Sequence, residues 1–240
     1  MFRANIHRWL ALAALLGASF WAHAQPTTYV ATSTGNYTTA TNFTACGTPP
    51  CQNFTTAMSV SGAFTTAAPL AANLAAFNVA PLLTSYRFSD GLTTYSSADP
   101  GSRIFAFRVT TNGSGAITTV SMTLERWLSG ASPHAAGDRV SMLQASTAMA
   151  LHNWRCSAVG MSPTGTADSC TASSLDTSGS RASPFTLTWA LALPPTSAAS
   201  IPTLSQWGVM LLAGLMGLFA FVPMRRSADR RALIGRHRSG

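Results

Sequence analysis

The chain contains no lysine. All 15 of its basic residues are arginine, only seven residues are acidic, and charged side chains make up 9% of the 240 residues. Histidine is scarce as well: between residues 25 and 200 there are only His134 and His152. No Gly-x-Ser-x-Gly elbow marks a serine hydrolase, and no glycine loop is built to cradle phosphate. Paired carboxylates at glycosidase spacing cannot be picked out. No histidines stand at metal-ligand spacing, so no metal or cofactor is expected. Helical periodicity is thin too. Only Ala67–Ala76 and Ala145–Asn153 predict a short helical turn.

What charge there is sits at the ends. Two arginines lie in the first 24 residues and six lie beyond residue 224. Residues 25–200 keep seven, namely Arg87, Arg103, Arg108, Arg126, Arg139, Arg155 and Arg181. Against them stand Asp90, Asp99, Glu125, Asp138, Asp168 and Asp176, which leaves a net of +1. The formal +8 of the whole chain is therefore a property of its ends. No basic face for nucleic acid is indicated. The 176-residue central region is one domain in size, rich in Thr, Ser, Ala and Gly.

The N-terminus reads as a secretory signal peptide over residues 1–24. Arg3 and Arg8 form the basic region, Trp9–Phe20 the apolar region, and Ala22-His23-Ala24 a small-x-small cleavage site. Signal peptidase is expected to cut between Ala24 and Gln25.

The C-terminus has three parts: Ile201-Pro202-Thr203-Leu204-Ser205-Gln206-Trp207-Gly208, an apolar run from Val209 to Val222, and arginines at 225, 226, 230, 231, 236 and 238. The run is short for a membrane crossing, which takes about 20 residues. Counted from Leu204 to Met224 it is long enough, and a transmembrane helix is expected over about 206–224. Trp207 suits the headgroup level. Arg225, Arg226, Arg230 and Arg231 place the tail to residue 240 in the cytoplasm. From these physics alone, a plain single-pass anchor and a processed signal both remain open.

The octapeptide resembles the IPTL-CTERM protein-sorting domain, whose pattern is I-P-T-L, two variable residues, then W-G. Ile201, Pro202, Thr203, Leu204, Trp207 and Gly208 fill all six fixed positions, and the resemblance spans about residues 201–231. It implies that these residues are recognised by an exosortase-like membrane enzyme of a Gram-negative bacterium. The chain would sit in the inner membrane until processed and then reach the cell surface or the medium.

Cys46, Cys51, Cys156 and Cys170 are an even set in an exported chain, which reads as disulfides. Three connectivities are possible, and proximity favours Cys46–Cys51 with Cys156–Cys170.

Alternation of period two dominates the middle of the chain. Ser85–Ser89 and Leu92–Ser96 flank Asp90-Gly91, a two-residue hairpin signal. Centred there, the register sets Tyr86 opposite Tyr95 and Phe88 opposite Thr93. Arg103–Thr110 and Ile117–Leu124 flank Asn112–Gly115, with Phe105, Phe107 and Val109 on one side and Val120, Met122 and Leu124 on the matching side. Asp138–Gln144 and Pro184–Leu193 read as further strands. The expected fold is mainly β: an antiparallel β-sandwich over residues 25–200.

Gly62-x-Phe64-Thr65, Pro69-Leu70-x-x-Asn73-Leu74 and Phe88-Ser89-Asp90-Gly91 resemble an uncharacterised extracellular domain of bacterial proteins with exosortase-type tails. The resemblance covers about residues 55–130 and implies no activity. A small pattern also recurs at Asn36-Tyr37-Thr38-Thr39, Asn42-Phe43-Thr44, Asn53-Phe54-Thr55-Thr56 and Ala63-Phe64-Thr65-Thr66. It reads as strand ends that bury an aromatic ring.

Two functions stay open. One is a non-catalytic surface or matrix protein whose β domain binds extracellular polysaccharide. The other is a secreted hydrolase of glycans or esters. Exposed aromatics on a sheet face would favour the first. A cleft joining His152, a carboxylate and a nucleophile would favour the second. His134, in a loop-like Ser/Pro/Gly segment, is expected to be solvated, and His152 to be a packed structural histidine.

Overall fold

The computed structural model describes residues 25–192, and the leader and the sorting tail expected above lie outside them. Thirteen strands run β1 Thr27–Ser33, β2 Thr39–Thr41, β3 Ser61–Thr66, β4 Phe77–Asn78, β5 Leu83–Ser89, β6 Thr94–Ser96 and β7 Ser102–Thr111. They continue as β8 Ile117–Trp127, β9 Arg139–Gln144, β10 Met149–Gly160, β11 Ser169–Ser174, β12 Ser180–Ser183 and β13 Leu187–Leu191. One sheet has the order β13-β1-β3-β5-β6. The other has the order β2-β12-β10-β9-β8-β7-β4, with β11 paired to the far half of β10. The pairings are antiparallel, among them β1 with β13 and β3, β5 with β6, and β7 with β8. Among the described residues no helix is long and apolar enough to cross a membrane.

The two sheets enclose one main core. Phe64, Phe88 and Phe107 are at most 1% exposed. Phe107 meets Phe64 edge-on at 5.0 Å between ring centroids, and Trp189 of β13 lies 5.6 Å from Phe64. Gly62 lies opposite Phe88 across β3 and β5. A Cβ at Gly62 would sit 2.3 Å from the Phe88 ring, so the aromatic core requires glycine there. Tyr37, Phe54 and Phe64, three of the four repeated aromatics, are buried, but only Phe64 lies in a strand. The Asn53 side chain accepts the Phe43 N–H at 2.9 Å, tying two of the repeats together.

The first hairpin keeps its expected face but shifts register. Phe88 pairs with Tyr95 and Ser89 with Thr94, so Gly91-Leu92 is the turn centre. The Asp90 carboxylate causes the shift. Its Oδ1 accepts the N–H groups of Leu92 and Thr93 at 2.9 and 2.7 Å, and Gly91 takes φ +97°. A two-residue shift leaves each side chain on its original face.

The second hairpin forms with Phe107 opposite Met122 and Val109 opposite Val120, as expected. A bulge at Phe105 breaks the alternation between Ile104 and Ala106. Ile104 therefore pairs with the buried Leu124 and packs on the core, while Phe105 does not. Residues 145–148 make a turn, and the expected helical stretch continues as β10.

A smaller core lies on the other face of the larger sheet. Trp127, Val140, Met142 and Leu151 pack there with Cys156 and Cys170. Both disulfides form as proximity favoured: Cys46–Cys51, and Cys156–Cys170 between β10 and β11.

Candidate functional site

Part of the space between the sheets is polar. Asp90 is fully buried and receives the Tyr95 hydroxyl on Oδ2 at 2.7 Å, while the Tyr37 hydroxyl donates to its backbone carbonyl at 2.9 Å. Desolvation pushes the Asp90 carboxyl up to about 6, against the pull of the Thr93 N–H and the Tyr95 hydroxyl. Thr93 continues the network. Its hydroxyl donates to Ser141 Oγ at 3.2 Å, and Ser141 Oγ lies 3.0 Å from His152 Nδ1.

A hydroxyl and an imidazole thus meet, but not in a cleft. Ser141 is 0% and His152 3% exposed. The His152 ring meets Phe54 edge-on at 6.5 Å. Burial lowers its pKa, partly offset by the nearby Pro50 backbone. Asp90 reaches the network through Thr93 rather than touching His152. His152 is therefore the packed structural residue the sequence predicted.

His134 departs from expectation. Its side chain is only 6% exposed. The ring stacks on Trp127 with centroids 4.2 Å apart and 5° between planes. Asp168 locks it there, accepting the His134 backbone N–H at 2.7 Å and facing Nδ1 at 2.8 Å. Ser132 donates to the same carboxylate at 2.9 Å, Arg103 lies 3.3 Å away, and the Trp127 indole N–H donates to the Asp168 carbonyl at 2.9 Å. Desolvation would raise the Asp168 pKa, but the hydrogen bonds from His134 and Ser132 hold it down at about 2. Ser132 and His134 share one carboxylate and do not bond each other, so they form no serine–histidine pair. The cluster fastens the 129–138 loop to the end of β8. No sequence spacing announces it, because Trp127, His134 and Asp168 come from three separate segments.

Glu125, 1% exposed, accepts the Cys170 N–H at 3.0 Å. Desolvation pushes it up to about 7, opposed by the Cys170 N–H and Arg103. The Cys46–Cys51 loop is held against β10 by Asn153, whose Nδ2 donates to the Thr48 and Ser178 carbonyls at 2.8 and 3.1 Å.

An open cleft of about 400 Å³ lies at the β6 edge, with Arg87 and Arg126 on its walls. Among the described residues no group of three or more His, Cys, Asp or Glu is placed to hold a metal ion. Of the aromatic side chains, Phe77 alone is strongly exposed, so no aromatic platform covers a sheet face among the described residues.

The sorting residues Ile201, Pro202, Thr203, Leu204, Trp207 and Gly208, the tail arginines and Ala24 of the cleavage site lie outside the described residues, which begin at Gln25. What the described domain supplies is their starting point. β13 ends at Leu191, which pairs with Tyr29, and the Ala192 N–H donates to the Thr28 carbonyl at 2.8 Å. Both ends of the domain therefore leave from the same end of one sheet. Comparison with known families identifies the segment beyond β13. Residues 199–226 match the IPTL-CTERM motif. The IPTL-CTERM segment includes all six fixed residues, the apolar run and the first two arginines of the tail. It is consistent with an exosortase-type sorting domain and implies processing by an exosortase-type membrane enzyme. No curated protein and no solved structure matches the chain.

Proposed function

We propose that the chain is an exported envelope protein that an exosortase-like enzyme processes at its IPTL-CTERM segment, delivering a non-catalytic β domain to the cell surface. The match over residues 199–226 carries this reading. Signal peptidase removes residues 1–24. The segment around 206–224 then holds the chain in the inner membrane, arginines inward, until the C-terminal enzyme acts.

The domain's own role is to bind extracellular polysaccharide or matrix. Two observations support a binder over a hydrolase. His152 and Ser141 are sealed between the sheets. The Asp168 carboxylate takes both the Ser132 hydroxyl and His134, so that these two do not pair with each other. Two disulfides and the small charge of the domain suit an oxidising exterior. Mass spectrometry of the mature protein from its native host tests the whole path. The expected product begins at Gln25 and lacks the Arg-rich tail. A product retaining both ends would refute the reading.

A further inference from the structure

Arg126 breaks the pattern of its strand. Met122 and Leu124, both fully buried, face the core from β8, and the next position in that alternation is Arg126. Its register partners are Ser102 and Ser141, at the polar end of the sandwich. A cation at a core-facing position is costly unless it is paired and reaches water. Here it does both. Its Nε lies 2.6 Å from Asp99 Oδ2, and its side chain is 39% exposed at the sandwich mouth. Departures of this kind from a strand's own pattern concentrate at functional positions.

The mouth is the cleft of about 400 Å³, within the range of about 300–1,000 Å³ usual for small-molecule sites. Arg87 of β5 lines the cleft as well, from the exposed face of its strand directly opposite Ser96 on β6. Thr94 and Ser96 line the same wall, and Leu92 supplies an apolar patch. Asp99 engages Arg126 through Nε and takes the Gly101 N–H on its other oxygen at 2.9 Å. The terminal guanidinium nitrogens of Arg126 have no acceptor among the described residues, and neither does the Arg87 guanidinium.

We propose that this cleft binds an acidic sugar unit, with its carboxylate between Arg126 and Arg87. A guanidinium fork matches a carboxylate in two parallel hydrogen bonds, and Asp99 orients one such fork. Thr94 and Ser96 carry hydroxyls that can donate to or accept from those of a sugar ring. Leu92 receives the ring's C–H face. A plain inorganic anion would use the arginines but neither the hydroxyl wall nor the apolar patch. The ligand is a uronate, either free or within an acidic polysaccharide. This inference rests on the binder reading above and names its ligand and its site.

The test is calorimetric titration of the full chain in detergent with tetragalacturonate, galacturonate, maltotetraose and sulfate at fixed ionic strength. The expected result is saturable binding of the galacturonates, weakened at least tenfold in Arg87→Gln and in Arg126→Gln. Arg155→Gln, an exposed arginine elsewhere, leaves it unchanged. Arg87 is exposed on its strand, so its variant reports even if Arg126→Gln fails to fold. Tighter binding of the tetramer than of the monomer assigns the site to a chain; equal binding assigns it to the free acid. Absence of galacturonate binding, equal competition by sulfate, or an equal loss in Arg155→Gln overturns the proposal. Maltotetraose binding that survives both cleft variants overturns this site while leaving a saccharide-binding domain intact.

Discussion

Trp127 and His134 lie face to face, 4.2 Å apart and nearly parallel, with the Asp168 carboxylate 2.8 Å from the imidazole. The stack closes one end of the second core. The loop before β9 depends on it, since its backbone also bonds Asp168 through the His134 N–H.

Replacing His134 by Ala removes a stacked ring and a hydrogen bond to a charged group. Together these are worth about 2–3 kcal/mol. Urea unfolding of His134→Ala, Asp168→Asn and the double variant checks the coupling. The double variant is expected to lose clearly less than the two single losses combined. Strict additivity would mean that the two residues act independently.

Phe107→Ala removes a fully buried ring from the centre of the aromatic cluster and should cost about 3–5 kcal/mol. Ile104→Ala should also destabilise, by less, because the bulge at Phe105 turns Ile104 onto the core. Without that bulge Ile104 would face away, and its truncation would cost almost nothing. Paired denaturant titrations separate the two cases.

That bulge illustrates where sequence reasoning reaches and where it stops. Alternation located the strands of both hairpins, because burial of one face imposes period two. It could not register a single extra residue at Phe105, which moves Ile104 inward. Asp-Gly announced a turn at 90–91, yet the buried Asp90 carboxylate chose a centre one residue further on. β10 was not legible. Asn153 sits at φ +58° within it, and its polar and aromatic residues serve three different neighbours. The disulfides were legible by loop length alone. The Trp127–His134–Asp168 cluster was not, because Asp168 is 34 residues beyond His134. The cleft was hidden for the same reason, since its arginines come from different sheets.

Stability should depend on pH in two opposed ways. Asp168 is held at about 2, below its ordinary ~3.9, so its contribution is present above about pH 4 and is lost as pH falls toward 2. Asp90 and Glu125 are raised to about 6 and about 7. The folded state then binds more protons than the unfolded one, and stability falls as pH rises from about 4 to about 7. Glu125→Gln should flatten that upper limb, because the amide oxygen can still accept the Cys170 N–H. Thermal unfolding from pH 3 to pH 8 checks this, and an unchanged upper limb in the variant would contradict it.

Replacing Cys156 and Cys170 together by Ser should cost about 3 kcal/mol, from loop closure over a separation of 14 residues. Replacing Cys46 and Cys51 together should cost less, since that loop spans only five. Denaturant midpoints of the two double variants give the order.

The central claim is that residues 201–208 are read by a processing enzyme rather than serving as a plain anchor. Cell fractionation tests it most directly, with an epitope tag placed before residue 200 in a host carrying the matching exosortase. Pro202 fixes its own φ and lacks a donor, so it would hold the motif extended for the enzyme. Trp207 would set the motif's depth at the interface. Pro202→Ala and Trp207→Ala are expected to be exported normally but to remain full length in the inner membrane, while the parent protein matures and leaves it. Variants that mature and reach the surface like the parent would contradict the account and reduce the segment to an anchor.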